Sequence, residues 1–453
     1  MPPANPLPQW DDMQGLLQSS YIRLPHAAYI LLRIQDNGAG RARAWLRRVV
    51  RLVTPVEKRI QRENYPDANV NIAFTFSGLE KLAASSGQQL HGFARPFVER
   101  IDGTAHRRRI LGDAGGAPWD WGGHASEVDV LLMVFGRDQQ AFESRLARVY
   151  PRAHLREPIQ CWRVDASPRN PDEPLREHFG FVDGLSQPIL TGSEEAERLP
   201  SSIHLTALGE IVLGYPNAAG ATGAVPALTH CHDFGRNGSY LVLRQLEQDV
   251  ARFRNFCRSS ANGDLQIAED VASKIVGRRR DGTPLVPNTS HTDNEFGYTD
   301  DAHGYGCPVG AHIRRVNPRD SFDNNNEPGR PAIEVNTHRL VRRGRPYGPP
   351  WDPQMPDKDA SRGLMFLALN SDIERQFEFI QQNWINSSEF AGVSGECDPL
   401  VGNPSMRTGT RCSFTIPALP LPARLINMPR FVAARGGDYF FLPGMRALWE
   451  LVA

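Results

Sequence analysis

The stretch FGFVDGLSQPILT, residues 179–191, holds a single carboxylate, Asp183, in otherwise apolar company. Gly180 stands three residues before it and Gly184 directly after. Glycine lets a backbone approach a flat ligand closely, or take left-handed dihedrals that other residues avoid. A carboxylate set among Phe179, Phe181, Val182 and Leu185 is poorly solvated, a setting suited to moving protons. The same residues also fit a plain Asp-Gly turn between two strands. On this stretch alone both readings stand.

Two further clusters carry side chains that could act with Asp183. Residues 310–319 read GAHIRRVNPR, and residues 338–348 read HRLVRRGRPYG. A histidine can ligate a metal or sit hydrogen-bonded in the core, and nothing in the spacing of the 13 histidines selects between them. An arginine holds its charge at any working pH, so it stabilises developing negative charge without taking the proton itself. Arg342 and Arg343 are neighbours that point to opposite sides of an extended chain, so only one of them faces a given site.

In this order the three clusters resemble the dye-decolourising peroxidases, a family of haem enzymes. GEIVLGYPN (209–217), NGSYLVLRQL (237–246), RGLMFLALN with QFEFIQQNW (362–384) and GGDYFFLP (436–443) resemble its framework, so the likeness runs from about Leu24 to the end. It implies a peroxidase with one haem b per chain, using hydrogen peroxide and a bulky reducing aromatic substrate. His312 matches the family's axial iron ligand, with His338 as its competitor. Asp183 matches the acid/base that moves a proton between the peroxide oxygens, and Arg342 the cation that stabilises the departing charge. Gly180 and Gly184 would lie against the cofactor, and Arg315, three residues after His312, would meet a propionate. Some members carry asparagine two residues after that arginine; here the position is Gly344. A ligating histidine donates its other N–H to a carboxylate. Asp372 and Glu378 are the candidates, roughly 110° and 130° from the centre of an apolar helical stripe. Large substrates would pass electrons through surface aromatics, for which Tyr347, Trp351, Trp384 and Trp449 are candidates. A haem-binding or iron-handling protein without turnover would keep His312 but need neither Asp183 nor Arg342. A repeat module with no cofactor would need none of the three, and a metal oxidase would centre on His230 and His232.

Composition narrows the classes. Lys+Arg and Asp+Glu are both 51, whereas a nucleic-acid binder carries a basic excess. The RRR runs at 107–109 and 278–280 read as solvated loops or anion contacts. Six cysteines without a CxxC pair suit reduced thiols. No apolar run is long enough to span a membrane, and MPPANPLPQWDDMQG has no leader features, so a cytoplasmic protein is expected. The oligomeric state is not readable.

Positioning these clusters falls to a repeated strand-then-helix unit: 28–34 with 41–53, 129–136 with 137–150, 239–246 with 247–256, and 363–370 with 371–384. In the last, Ser371 and Glu374 form a capping box, and Ile373, Phe377, Ile380 and Trp384 line one stripe. Two units per half predict an α+β fold of two ferredoxin-like halves, each a sheet with helices on one face. The halves divide at about residue 225: 1–225 carries the GFVDG motif, and 226–453 carries His312 and Arg342 and holds most of the haem. The Gly/Ala/Pro-rich segment 216–230 suits an exposed connection.

Overall fold

The computed structural model describes residues 7–453 apart from 36–37, 58–64, 114–117, 124–126, 151–158, 167–172, 288, 290–293, 323–332, 353, 355–359 and 404–411. In the N-terminal half, strands β1 (His26–Ile34), β2 (Ala68–Phe74), β3 (Val130–Gly136) and β4 (Ile159–Asp165) are joined through helices α1 (Ala39–Val49), α2 (Ala105–Leu111) and α3 (Gln139–Val149). They lie in the spatial order β2-β3-β1-β4, every neighbouring pair antiparallel. The C-terminal half repeats the plan. It comprises β5 (Ser239–Gln248), α4 (Val250–Ser260), α5 (Leu265–Val276), α6 (His312–Val316), β6 (Val341–Arg342), β7 (Arg345–Tyr347), β8 (Gly363–Asn370) and β9 (Val432–Leu442). Its order is β6-β8-β5-β9, again antiparallel throughout. Numbered within each half, both read 2-3-1-4, the ferredoxin-like arrangement. The halves join in one sheet where Phe441 of β9 faces Phe74 of β2.

Alternation along the strands decides the layers, because successive side chains point to opposite faces. Ile30 and Leu32 of β1, Leu132 and Val134 of β3, Val242 of β5 and Tyr439 of β9 pack into one core with α1, α3, Ile373 and Phe377. Their neighbours Leu31, Met133, Leu241, Leu243, Met365 and Phe440 enter a second core on the other face, covered by 10–24 and 208–215. Strands buried on both faces carry the near-continuous apolar runs seen in the sequence.

Local signals place most helix starts. Asp138, Asp249 and Asp264 cap α3, α4 and α5 with their carboxylates, and Gly277 closes α5 in the left-handed region. The unit expected to turn helical at 247 stays extended to Gln248, because Asp249 is the cap. The 371–384 helix differs in kind: it winds in wide, π-type turns over Glu374–Glu378 and Ile380–Ile385. Asp372, not Ser371, accepts the Arg375 N–H at its start, while the Ser371 N–H goes to Glu210 and Gln376. The stripe Ile373, Phe377, Ile380 and Trp384 is buried as the spacing predicts.

Candidate active site

On the helix-covered side of the C-terminal sheet lies a cavity of about 310 Å³, walled largely by Val182, Leu185, Ile313, Phe366, Ile380 and Leu400. Asp183, His312, His338, Arg342 and Gly344 all line it. Three segments far apart in sequence therefore meet in one space.

The GFVDG loop and β6 grip one another. The Arg342 Nη1 lies 3.5 Å from Asp183 Oδ1, its Nη2 donates to the Leu185 carbonyl at 2.8 Å, and its backbone N–H to Gln187 Oε1 at 3.0 Å. Asp183 also accepts the Gly184 N–H at 2.6 Å, and its side chain is 24 % exposed. Phe179 and Phe181 line the same cavity as Asp183; Phe179 also packs on Phe253, ring centroids 4.5 Å apart, and Phe181 lies under Arg280. Arg343 points the other way, to the carbonyls of Leu16 and Leu17 at 2.9 and 3.1 Å. Register thus decides which arginine faces the cavity.

Gly180 and Gly184 do not line the cavity. Both have positive φ, at 102° and 82°, which shapes the loop around Asp183. A Cβ on Gly180 would come within 2.5 Å of Arg280 Nη1, whereas one on Gly184 would meet open space.

Short helix α6 presents His312 at its first turn. Its Nδ1 lies 2.8 Å from Asp398 Oδ2, and among the described residues none bonds Nε2. Asp398 is fully buried, and its other oxygen accepts the Leu400 and Val401 N–H groups at 2.9 and 3.0 Å. Burial alone would raise this carboxyl; His312, the Val401 N–H and Arg315 outweigh it and hold the group below the usual carboxylate range. With Asp398 accepting, Nδ1 carries the proton and Nε2 keeps a lone pair.

Asp398 replaces both carboxylates proposed from the helical wheel. Glu378 is buried against Arg107 and Tyr439, and Asp372 caps the start of its own helix. Arg315 is a second correction. It is completely buried and donates to the carbonyls of Gly310 (3.2 Å), Trp384 (2.7 Å), Ser387 (3.0 Å) and Glu396 (3.0 Å), with Phe390 under its guanidinium. It fastens α6 to the loop that carries Asp398 and does not line the cavity. His338, the competing histidine, stacks on Phe379 at 3.8 Å and donates Nδ1–H to the Arg375 carbonyl.

Arginines not singled out in the sequence gather at the cavity instead. Arg278, Arg319 and Arg339 line it, none of them in an ion pair among the described residues. Arg319 donates to the Asn294 and Phe296 carbonyls and Ser186 Oγ, and Arg278 to the Gly282 carbonyl, Ser186 and Asn294. Within the 278–280 run Arg278 is therefore buried and held in place, while Arg279 is exposed. Arg339 is pushed down to about 9 by burial, then by Arg319 and Arg342; its Nη2 meets His204 Nδ1 at 3.3 Å, and its buried Nη1 has no partner among the described residues. Three buried guanidiniums held by neutral groups form a site for anionic oxygens.

No family model matches the chain. It is 27 % identical over 430 residues to the dye-decolorizing peroxidase msp1 of Mycetinis scorodonius, covering 88 % of this chain and 79 % of the relative. A multifunctional dye peroxidase of Amycolatopsis sp. is 34 % identical over 297 residues, 61 % of each chain. Among solved structures, the DyP-type peroxidase of Anabaena sp. superposes with a TM-score of 0.79 at 27 % identity, covering 98 % of this chain and 94 % of that one. The ordered motifs, the doubled sheet and these relatives agree: over most of its length the chain is similar, in sequence and in fold, to dye-decolourising peroxidases.

Proposed function

We propose that this chain is a haem-dependent peroxidase that reduces hydrogen peroxide and oxidises bulky aromatic or dye-like donors by one-electron steps. The observation that carries the reading is the juxtaposition of a carboxylate-supported histidine, His312–Asp398, with the Asp183–Arg342 pair in one largely apolar cavity. Haem fits the residues present. Arg339 Nη1, unpartnered among the described residues and beside Arg319 and Arg278, suits propionate oxygens, and the apolar wall suits a flat macrocycle. One haem b per chain is proposed, with His312 Nε2 as its ligand.

Bound haem would supply the redox chemistry. The protein's part is proton handling and charge. Asp398 holds the proton on His312 Nδ1 and raises the basicity of Nε2. Asp183 takes a proton from the inner peroxide oxygen and returns it to the outer one. Arg342, held by Leu185 and Gln187, stabilises the charge that develops as the O–O bond opens. A haem carrier without turnover would have no use for that second pair. The test is the absorption spectrum of haem-reconstituted protein before and after one equivalent of peroxide. A prompt Soret change, reversed by an electron donor, supports the peroxidase; a Soret band indifferent to peroxide leaves a haem-binding protein.

A further inference from the structure

Outside the cavity, two thiols that the proposed mechanism does not use meet behind Asp398. Cys397 directly precedes Asp398, and Cys412 opens a hairpin of strands Cys412–Ile416 and Ala423–Met428. Both cysteines are free and share one buried cluster with Phe414 and Met428. Cys412 Sγ stands 3.8 Å from the Cys397 carbonyl oxygen, and the two side chains hydrogen-bond one another. The contact is held from several directions. Ser413 Oγ donates to the Gly395 carbonyl at 3.3 Å, and the Thr415 hydroxyl donates to the Glu396 carboxylate. Arg315 Nη2 donates to the Glu396 carbonyl at 3.0 Å, and the Asp398 N–H to the Ile385 carbonyl at 2.9 Å.

The pair is also unequal. A thiolate, not a thiol, attacks an oxidant. The Cys397 hydrogen bond holds Cys412 below the ordinary thiol range against its burial, and Arg315 adds to the effect. The same bond, then burial, pushes Cys397 up. Cys257 and Cys307 differ from both: burial alone pushes each up to about 12. Two sulfurs already in contact need only a small approach to reach the S–S bond length of about 2.05 Å.

We propose that Cys397 and Cys412 are a modification site: hydrogen peroxide joins them as a disulfide that locks Asp398 to the hairpin. The Cys412 sulfur attacks one peroxide oxygen, the O–O bond breaks, and the thiol proton leaves with the other oxygen as water. The product is a sulfenic acid on Cys412. The Cys397 sulfur displaces its hydroxyl, which departs with the Cys397 proton as a second water, and the S–S bond forms. Two thiols thus lose two electrons and two protons, and one peroxide becomes two waters. Exposures of 9 % for Cys397 and 6 % for Cys412 suit an oxidant of peroxide's size and shut out glutathione, so the sulfenic acid meets Cys397 first. The site needs the peroxide of the proposed reaction but not haem turnover, so it stands apart from the peroxidase reading. Cys412 follows Cys397 by 15 residues, and closing a loop of that length restrains its opening by about a hundredfold. Asp398, the support of His312, is the first residue inside that loop.

The test starts from reduced, haem-loaded full-length protein, treated with excess hydrogen peroxide in the presence of ferrocyanide as a sacrificial donor. The protein is then unfolded in an alkylating reagent, digested with trypsin and mapped by mass spectrometry. Trypsin cuts between the two cysteines, after Arg407 and Arg411, so the disulfide is read as a joined pair of peptides. Wild type should give the Cys397–Cys412 pair, with Cys257 and Cys307 still alkylated. Cys397→Ser should stop at a sulfenic acid on Cys412 that dimedone traps, and Cys412→Ser should leave Cys397 unoxidised. Haem transfer to apomyoglobin should slow at least about fivefold in peroxide-treated wild type, part of the loop-closure effect, and stay unchanged by peroxide in both serine variants. Cys397 and Cys412 still alkylated after peroxide, or joined only to other cysteines, would overturn the modification site. A joined pair with unaltered haem transfer would overturn the lock. Failure of the chain to take up haem would instead refute the haem reading, while the peptide map still reports on the thiols.

Discussion

Replacing Asp398 with asparagine probes His312, the residue that would hold haem iron, through its tautomer. The carboxylate accepts three hydrogen bonds, from His312 Nδ1 at 2.8 Å and from the Leu400 and Val401 N–H groups at 2.9 and 3.0 Å. An amide of the same shape cannot accept all three. If its oxygen stays with the two backbone donors, its NH₂ faces Nδ1, which must then accept, moving the ring proton to Nε2. If it flips, two buried N–H groups lose their acceptor, at about 1–3 kcal/mol each. The first course is cheaper, and its cost falls on the ligand: Nε2 loses the lone pair that iron needs. Losing a hydrogen bond to a charged group is worth about 1.5–3 kcal/mol, or about 10- to 150-fold in affinity. The assay is a Soret titration of apoprotein with haem. Asp398→Asn should raise the Kd for haem by at least about tenfold, with apoprotein that still unfolds cooperatively. A Kd within twofold of wild type would refute the link between Asp398 and iron ligation.

Arg315→Met should destabilise the apoprotein by about 4 kcal/mol in denaturant unfolding, from four buried carbonyls at about 1 kcal/mol each; an unchanged midpoint would contradict its fastening role. Arg339→Met should act in opposite directions, raising apoprotein stability by removing a buried guanidinium beside Arg319 and Arg342, yet weakening haem binding about tenfold. A loss of both would show that Arg339 only packs. The Asp398 carboxyl is depressed in the folded state, so its stabilisation is complete above the unfolded value of about 3.9 and is lost as pH falls below it through the folded value. The stability gap between wild-type and Asp398→Asn apoprotein should therefore shrink on acidification from pH 5 to pH 3; a constant gap would contradict the assignment.

The strands and most helix starts are legible in the sequence because their signals are local. Apolar runs such as DVLLMVFG mark strands buried on both faces, and Asp138 and Asp264 mark the residues before α3 and α5. What resists the sequence depends on which distant segments touch. Asp398 follows His312 by 86 residues in a loop with no periodicity, so nothing on a helical wheel could find it. The wheel offers Asp372 and Glu378 because it sees one helix at a time, and Glu378 is already claimed by Arg107 and Tyr439. Arg315 misleads for the same reason: proximity to His312 along the chain says nothing of the four carbonyls packed behind it. Arg339 and Arg319 sit inside the quoted motifs, but their burial, with no ion pair among the described residues, emerges only once Ser186, His204, Asn294 and Phe296 come up against them. The glycines of GFVDG are special, as their spacing suggests: both take the left-handed region and shape the turn.

The central claim, that Asp183 moves a proton on peroxide held over a His312-ligated haem, is tested most directly by stopped-flow Soret absorption. Wild type and Asp183→Asn, matched for haem content, would be mixed with hydrogen peroxide under pseudo-first-order conditions. The account predicts a prompt second-order change in wild type, and a rate about 10²- to 10⁴-fold lower in the variant, the usual weight of a positioned acid/base. Equal rates would contradict the role of Asp183, and a wild-type Soret band that ignores peroxide would contradict the peroxidase itself.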